Sequence, residues 1–441
     1  MIPSVDELMP LAREAARPSY RGRVDVVSGV LVEAAGLPAA LGELCRIDRG
    51  ARDPIHAEVV GFRGASSLLM PHGDLSGIAP MQEVYALRRP FSIPVTRDYV
   101  GRVVDGFGEP LDDGPRIHAK GELRSVRSAA PAALSRVPID TPLETGVRVI
   151  DSMLTVGKGQ RMGIFAGSGV GKSTLLGQVT RGTEADAVVV CLVGERGREV
   201  RSFLDDVLGP EGRAKSVLVV STSDRPPIER FTAPFLALTI AEFLRDQGLE
   251  VLFVMDSVTR FAAASREVGL AAGEPPTVRG YPPSFFAEVP KLVERLGRTD
   301  RGSITGIFTV LLDADDPSDP VGDTLRGLLD GHIVLDRQLA HTGHYPAVDV
   351  PGSLSRLMPE IVDPGHMARA TKLREWLASH REARDLLDIG AYKPGANPLL
   401  DEAIGRMPAI QHFLRQTGGD PTPLAETLAM LDMIVTGEVP S

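Results

Sequence analysis

Three glycines spaced two apart, followed by a lysine and two hydroxyl residues, form a pattern suited to holding phosphate. They lie in the stretch GIFAGSGVGKSTLL, where Gly167, Gly169 and Gly171 let backbone N–H groups turn inward around an anion. Ala166, Ser168, Val170 and Thr174 complete the loop. A buried-type strand, Arg161–Phe165, precedes it, and a helix is expected from Leu175 onward, so a helix N-terminus adds partial positive charge at the same point. This is the strand–loop–helix setting of a Walker A motif. Lys172 then reaches the β- and γ-phosphates of a nucleotide, and the Ser173 hydroxyl ligates Mg²⁺. One residue departs from the usual pattern: Ala166 stands where the first glycine is normal, a position that accepts alanine at negative φ. The alternative is a glycine-rich turn that binds nothing.

Phosphoryl transfer needs more than a cradle. The apolar strand Val251–Met255 ends in Asp256, which sets a carboxylate at the sheet's C-terminal edge near the metal. Glu195, in LVGERGREV, follows the strand Ala187–Val193 and is placed to orient and deprotonate the attacking water. Its alternative role is an ion pair with Arg198 or Arg201 at a helix start. An arginine directed at the developing anion is worth roughly 10³–10⁵ in rate, and composition does not choose among the arginines.

Other groups carry less. His341 and His344 are three apart but have no accompanying acid or cysteine cluster, so packing or surface roles are expected. The run DADDPSDP lacks the glycine and terminal glutamate of an EF-hand and is expected to be a polar turn. Asp112 and Asp113 are expected in a solvated turn. Cys45 and Cys191 form no CxxC pair and are expected to be reduced structural thiols of a cytosolic protein.

The elements that position these residues fall into three parts. The chain has 441 residues, enough for about three domains. With 43% hydrophobic and 24% charged residues, it can bury a large core without disulfides. Its formal charge of −10 argues against a nonspecific nucleic-acid coat. Apolar runs are strand-sized, short of the roughly 20 residues a membrane helix needs. The opening MIPSVDELMP has no basic n-region, so no secretory signal is expected. Ser4 and Glu7 form a capping box for a helix over Ser4–Ala16 that ends before Pro18 and is a candidate partner contact. From Tyr20 to Arg89, short β-rich runs alternate with turns, predicting a small barrel or sandwich, with RRPFSIPV as the exit linker. From Ile93 to Leu357, strands (Arg161–Phe165, Ala187–Val193, Ser216–Ser221, Val251–Met255, Ile304–Leu311, His332–Leu335) alternate with helices, predicting a parallel, doubly wound sheet. Met367, Ala370, Leu373 and Leu377, then Leu424, Leu428, Leu431 and Ile434, recur at helical spacing. The expected domains are 1–92, 93–365 and 366–441.

The run PAVDVPGSLS (Pro346–Ser355) resembles the signature of the α/β subunits of rotary ATPases. With GSGVGKST and GERGREV, it identifies the chain as a member of the F-type ATPase superfamily. The blocks LPAALGELCRI, GEPLDD, EPPTVRGYPPSFFAEVPKLVERLGR and DDPSDPVGDTLRGLLDGHIVLDRQLAHTGHYPAVDV resemble the flagellar protein-export ATPases of the type III secretion class. The resemblance runs from about Gly22 to the C-terminal helices. It implies a β-barrel N-domain, a RecA-like P-loop core of α/β class and a helical C-domain. It also implies a homohexamer that hydrolyses ATP with Mg²⁺ between neighbouring subunits. By motif position, Glu195 is the general base and Arg196 a phosphate-side interface residue. Tyr345 is the adenine-stacking aromatic, with a core tyrosine as the alternative. Arg356 is an arginine finger given to the neighbour's site. Arg260, four residues after Asp256, is a lesser candidate whose alternative is pairing with an interface acid.

The implied partners are further copies of the chain, flagellar export stator or regulator and stalk proteins, export chaperones and cargo, and through them a membrane export gate. The implied location is the cytoplasm, peripheral to the inner face of the plasma membrane. A virulence-type secretion ATPase and a synthase β-like subunit are the near alternatives, although the acidic DELSEED-type loop of the latter is absent. A Rho-like RNA translocase is more distant, since residues 20–90 hold only Tyr20, Phe62 and Tyr85 as stacking aromatics. A nucleotide-binding scaffold without activity is opposed by the set Lys172, Ser173, Glu195, Asp256 and Arg356.

Overall fold

Alternating short strands and glycine turns close the first part on itself. The computed structural model describes residues 20–115, 117, 121–312, 319–416 and 421–437. The expected Ser4–Ala16 helix and most of the DADDPSDP turn lie outside them. Strands β1 (Arg21–Ser28), β2 (Leu31–Ala35), β3 (Glu43–Arg49), β4 (Arg52–Arg63), β5 (Ser66–Pro71) and β6 (Glu83–Pro90) form a closed barrel in the order β1-β2-β5-β4-β3-β6. Each pairing is antiparallel, including the closing pair of β6 with β1. The interior is small and apolar, with Val24, Val32, Cys45, Ile47, Ala57, Leu69 and Val84 at its centre. Gly50 and Gly64 take positive φ at the tight turns before β4 and β5, which favours residues without a Cβ. The barrel alternative is therefore the correct one of the two expected. The expected exit linker is corrected: β6 runs on through Pro90, and β7 (Ser92–Val95) pairs with β9 (Glu122–Ser125).

The central sheet places the site. It contains β8 (Val103–Asp105), β12 (Arg161–Ala166), β13 (Ala187–Val193), β14 (Ser216–Ser221), β15 (Glu250–Asp256), β16 (Gly297–Arg298), β17 (Ser303–Leu311), β18 (Gly331–Leu335) and β19 (Leu354–Ser355). A short hairpin-like pair, β10 (Pro142–Leu143) and β11 (Val156–Gly157), stands apart. The order across the sheet is β19-β18-β12-β17-β15-β13-β14-β8, with β16 on β17. Pairing is parallel from β18 to β8 and antiparallel only at β19 and β16.

Strand periodicity divides the core in two. Val189, Cys191, Phe253, Met255 and Phe308 face one side, packed by the helices Pro227–Asp246, Val258–Ala271 and Pro283–Val293. Val188, Val190, Leu252, Val254 and Ile307 face the other, packed by the helix Lys172–Gly182. That second core continues without a break into the helices Pro364–Glu382, Pro398–Leu414 and Leu424–Thr436, through Leu373, Trp376, Ile410, Phe413 and Leu431. Phe253 and Phe308 are fully buried with ring centroids 5.9 Å apart. Cutting either ring back to alanine would cost roughly 3–5 kcal/mol. Arg295 is buried too, and its guanidinium donates to both oxygens of Glu242 at 2.7 and 2.8 Å and to Val126 O at 2.9 Å. Such a charge is tolerated inside only because every donor has a partner.

Candidate active site

The phosphate loop sits where β12 leaves the sheet. Gly169 has φ 81° and Gly171 φ 90°, the left-handed values that turn N–H groups inward. The helix begins at Lys172, earlier than the expected Leu175, so Lys172 and Ser173 lie in its first turn. Ser168, Gly169, Ser173 and Thr174 are exposed, whereas Ala166, Gly167 and Val170 are buried beneath them.

Asp256 ends β15, two strands from the loop strand, and is only 3% exposed. Lys172 Nζ donates to its Oδ1. Thr309 Oγ1, on β17 between the two, donates to the same oxygen at 2.8 Å. Thr309 was not legible as a site residue, since nothing in its local sequence marks it. Its position one strand over from both partners is the signal that only the sheet order supplies.

Glu195 follows β13, the next strand beyond β15, and is buried. Its expected partner is corrected: Arg260 Nη2 pairs with Glu195 Oε2 at 3.2 Å, rather than Arg198 or Arg201. Arg260 also donates to the carbonyl of Gly194. Arg260 therefore pairs with an acid of its own chain. Burial, a hydrogen bond with Glu199 and the nearby Asp256 charge push the Glu195 carboxyl up to about 8, against the pull of Lys172 and Arg260. Glu199, the acceptor of that bond, is held below the usual carboxylate range. Arg196 immediately precedes the helix Gly197–Ser202 without a side-chain capping bond, is largely exposed, and lies 3.6 Å from Glu199.

Tyr345 is 38% exposed, which removes the buried core-tyrosine alternative. Its ring lies against Gly171, where a Cβ would stand 3.2 Å from Cδ1 and Cε1. An aromatic face thus adjoins the phosphate loop. Arg356 is elsewhere. Its N–H donates to Asp330 O at 3.0 Å, and Asp330 pairs with Arg161 at the start of β12. Among the described residues its guanidinium hydrogen-bonds only to Arg326 O, at 3.1 Å, on the exposed surface. The two ends of β12 are about 16 Å apart at the usual strand rise. Arg356 and the phosphate loop therefore occupy opposite edges of one sheet.

Asp112 is not a solvated turn residue, because Arg102 donates to it at 2.7 and 2.9 Å and Val103 N at 2.8 Å. His344 Nδ1 accepts from Arg415 Nε at 3.3 Å. Among the described residues, no group of three His, Cys, Asp or Glu side chains is placed to hold a metal. Cys45 and Cys191 are buried and free. Among the described residues, no helix is long and apolar enough to cross a membrane.

A parallel sheet whose carboxyl edge holds a glycine loop, a lysine and two acids from successive strands defines a P-loop nucleotide-binding enzyme. The nucleotide-binding domain of the ATP synthase alpha/beta family matches residues 146–355, and the T3SS EscN ATPase C-terminal domain matches residues 362–433. The flagellum-specific ATP synthase of Bacillus subtilis (strain 168) is 48% identical over 425 residues, 95% of this chain and 97% of that protein. The type 3 secretion system ATPase of Xanthomonas euvesicatoria is 47% identical over 414 residues, 94% of this chain and 93% of that protein. The assembled ATPase EscN, solved in complex with its central stalk EscO from the enteropathogenic E. coli type III secretion system, has a TM-score of 0.87 at 42% identity, covering 94% of this chain and 100% of that chain. The chain belongs to the ATP synthase alpha/beta family, among its flagellum-specific and type III secretion ATPases, and is an ATP-hydrolysing enzyme of type III export.

Proposed function

We propose that the chain works as a homohexameric ring in flagellar protein export, with each ATP held between two neighbours. The observation that carries this is the opposite placement of the phosphate loop and Arg356 on one sheet. Within a chain the two halves cannot meet; in a ring of identical chains each site takes one half from each neighbour. The assembled state of EscN supports the same reading.

The residues then divide the work. The loop from Ala166 to Thr174 cradles the phosphates, and Tyr345 stacks on the adenine. Lys172 leaves Asp256 for the β- and γ-phosphates. Ser173 and Asp256 offer a hydroxyl and a carboxylate, hard oxygen donors that fit Mg²⁺. Held there, Mg²⁺ would neutralise negative charge on the phosphates. Glu195 must shed its proton to act as base, and then takes a proton from the attacking water. Arg260 holds Glu195 in place until then. Arg196, exposed at the same edge, faces the neighbour, and the neighbour's Arg356 meets the charge that develops on the transferred phosphoryl group.

The N-terminal helix with the barrel (1–92), the core (93–365) and the helical end (366–441) act as three domains of one subunit. A stalk protein, export stator or regulator proteins, chaperones and cargo are the proposed partners. They bring the ring from the cytoplasm to an export gate at the inner face of the plasma membrane. The near-equal identity to a type 3 secretion system ATPase favours a virulence-type secretion system as the second reading.

Mixing subunits tests the shared site. Lys172→Ala and Arg356→Ala proteins, each inactive alone, are expected to regain ATPase activity when mixed, because some interfaces then carry both intact halves. A mixture that forms rings yet stays inactive would overturn the shared site. ATPase activity stimulated by RNA would instead favour a nucleic-acid motor.

A further inference from the structure

Gln416 follows the helix Pro398–Leu414, is 7% exposed, and has every polar group engaged. Its N–H donates to Tyr345 O at 2.8 Å. Its carbonyl accepts from Gln178 Nε2 at 3.0 Å, and Gln178 lies on the helix that begins with Lys172. Its side-chain Oε1 accepts from Arg148 N at 2.8 Å. Its Nε2 donates to Gly146 O at 2.8 Å and to Thr422 Oγ1 at 3.3 Å. The amide has one orientation that satisfies all of these, with oxygen toward the backbone donor and nitrogen toward two oxygens. A buried amide so engaged is costly to disturb, because each lost bond leaves a group unsatisfied away from water.

The surrounding contacts seat the same segment firmly. Arg148 Nε donates to Phe413 O at 2.8 Å, and its guanidinium also donates to Arg415 O. A Cβ on Gly146 would stand 2.5 Å from Pro421, and one on Gly182 would stand 3.0 Å from it. Pro421 therefore lies directly against the end of the phosphate-loop helix. Leu424 N donates to Glu144 Oε1 at 2.7 Å, which anchors the far side.

We propose that Gln416 is a positioning residue for nucleotide binding: it fixes the aromatic of Tyr345 against the phosphate loop, and so sets the spacing between the base side and the phosphate side of the site. It ties to both sides at once, to Tyr345 by its N–H and to the phosphate-loop helix by its carbonyl. The C-terminal helices thereby become part of the base pocket. The inference rests on the reading of Tyr345 as the adenine-stacking aromatic.

The test separates base from phosphate binding in the full-length chain. Gln416→Ala removes the three side-chain bonds that seat the residue, leaves its backbone bonds to Tyr345 and Gln178 without that support, and is expected to raise the KM for ATP about five- to tenfold with kcat kept within about twofold. Inhibition by tripolyphosphate, which has no base, is expected to be unchanged. Gln178→Leu removes only the bond to the Gln416 carbonyl and is expected to act in the same direction to a lesser degree. An unchanged KM in both variants would overturn the proposal. So would an equal loss of tripolyphosphate affinity, which would mark general loosening. Tyr345→Ala distinguishes the two layers: if it leaves KM unchanged, the adenine reading itself fails; if it raises KM while neither glutamine variant does, only the role of Gln416 fails.

Discussion

The two edges of the central sheet carry charge in different ways. At the carboxyl edge, Lys172 is paired with Asp256, and Arg260 lies 3.2 Å from the raised carboxyl of Glu195, with both acids buried. At the amino edge, Arg161 and Asp330 form a comparable pair at 3.0 Å, but Arg356 beside them rests on a single surface carbonyl. Opening a buried pair leaves an uncompensated charge, whereas lifting Arg356 from an exposed carbonyl costs little. The carboxyl edge is thus held in readiness by its own charges. The amino edge offers a cation that is free to be used elsewhere.

This contrast can be broken in three places. The largest effect is expected at the amino edge: Arg356→Ala should lower kcat by about 10³–10⁵ while ATP binding to the isolated subunit stays intact, measured by turnover and by equilibrium binding. Loss of binding in the isolated subunit would mean that Arg356 serves its own chain. Next comes Glu195→Gln, expected to cost roughly 10²–10⁴ in kcat.

The same variant reads the charge balance of the carboxyl edge. The folded Glu195 carboxyl, raised from 4.5 to about 8, keeps a proton that the unfolded chain releases. Its stability contribution is full below about 4.5 and is lost as pH rises toward about 8. The Tm of Glu195→Gln should therefore gain on the parent between pH 5 and pH 9, and parent kcat/KM should rise over the upper part of that range. A constant Tm gap would show that Glu195 ionises normally in the fold. The smallest effect is expected from Thr309→Val, about tenfold in kcat through a misdirected Asp256, with Thr309→Ser restoring most of it. If the serine variant is as slow as the valine one, the hydroxyl is not what orients the acid.

What was legible in the sequence follows how local each signal is. The loop Ala166–Thr174 is a contiguous motif, and its strand and helix are dictated by adjacent residues. The positions of Asp256 and Glu195 followed from apolar strands that end in an acid. The pairing of Glu195 with Arg260 did not, because which arginine reaches which acid depends on β13 and β15 lying side by side. Thr309 and Gln416 were silent for the same reason: a threonine in an apolar strand and a glutamine after a helix look ordinary until the sheet order and the C-terminal packing bring them to the site. The strand β7 was missed because its pairing partner, β9, lies well downstream and is short. Arg356 was assigned by resemblance alone, and its place at the far edge of the sheet became visible only in three dimensions.

The closing pair of β6 with β1 has one further consequence. A sheet that ends in open strands offers unpaired N–H and C=O rows to any copy beside it, and identical copies held side by side present that hazard at high local concentration. The six-stranded N-terminal barrel has no such rows to offer. Neighbouring barrels therefore lack an open strand edge through which to pair with one another.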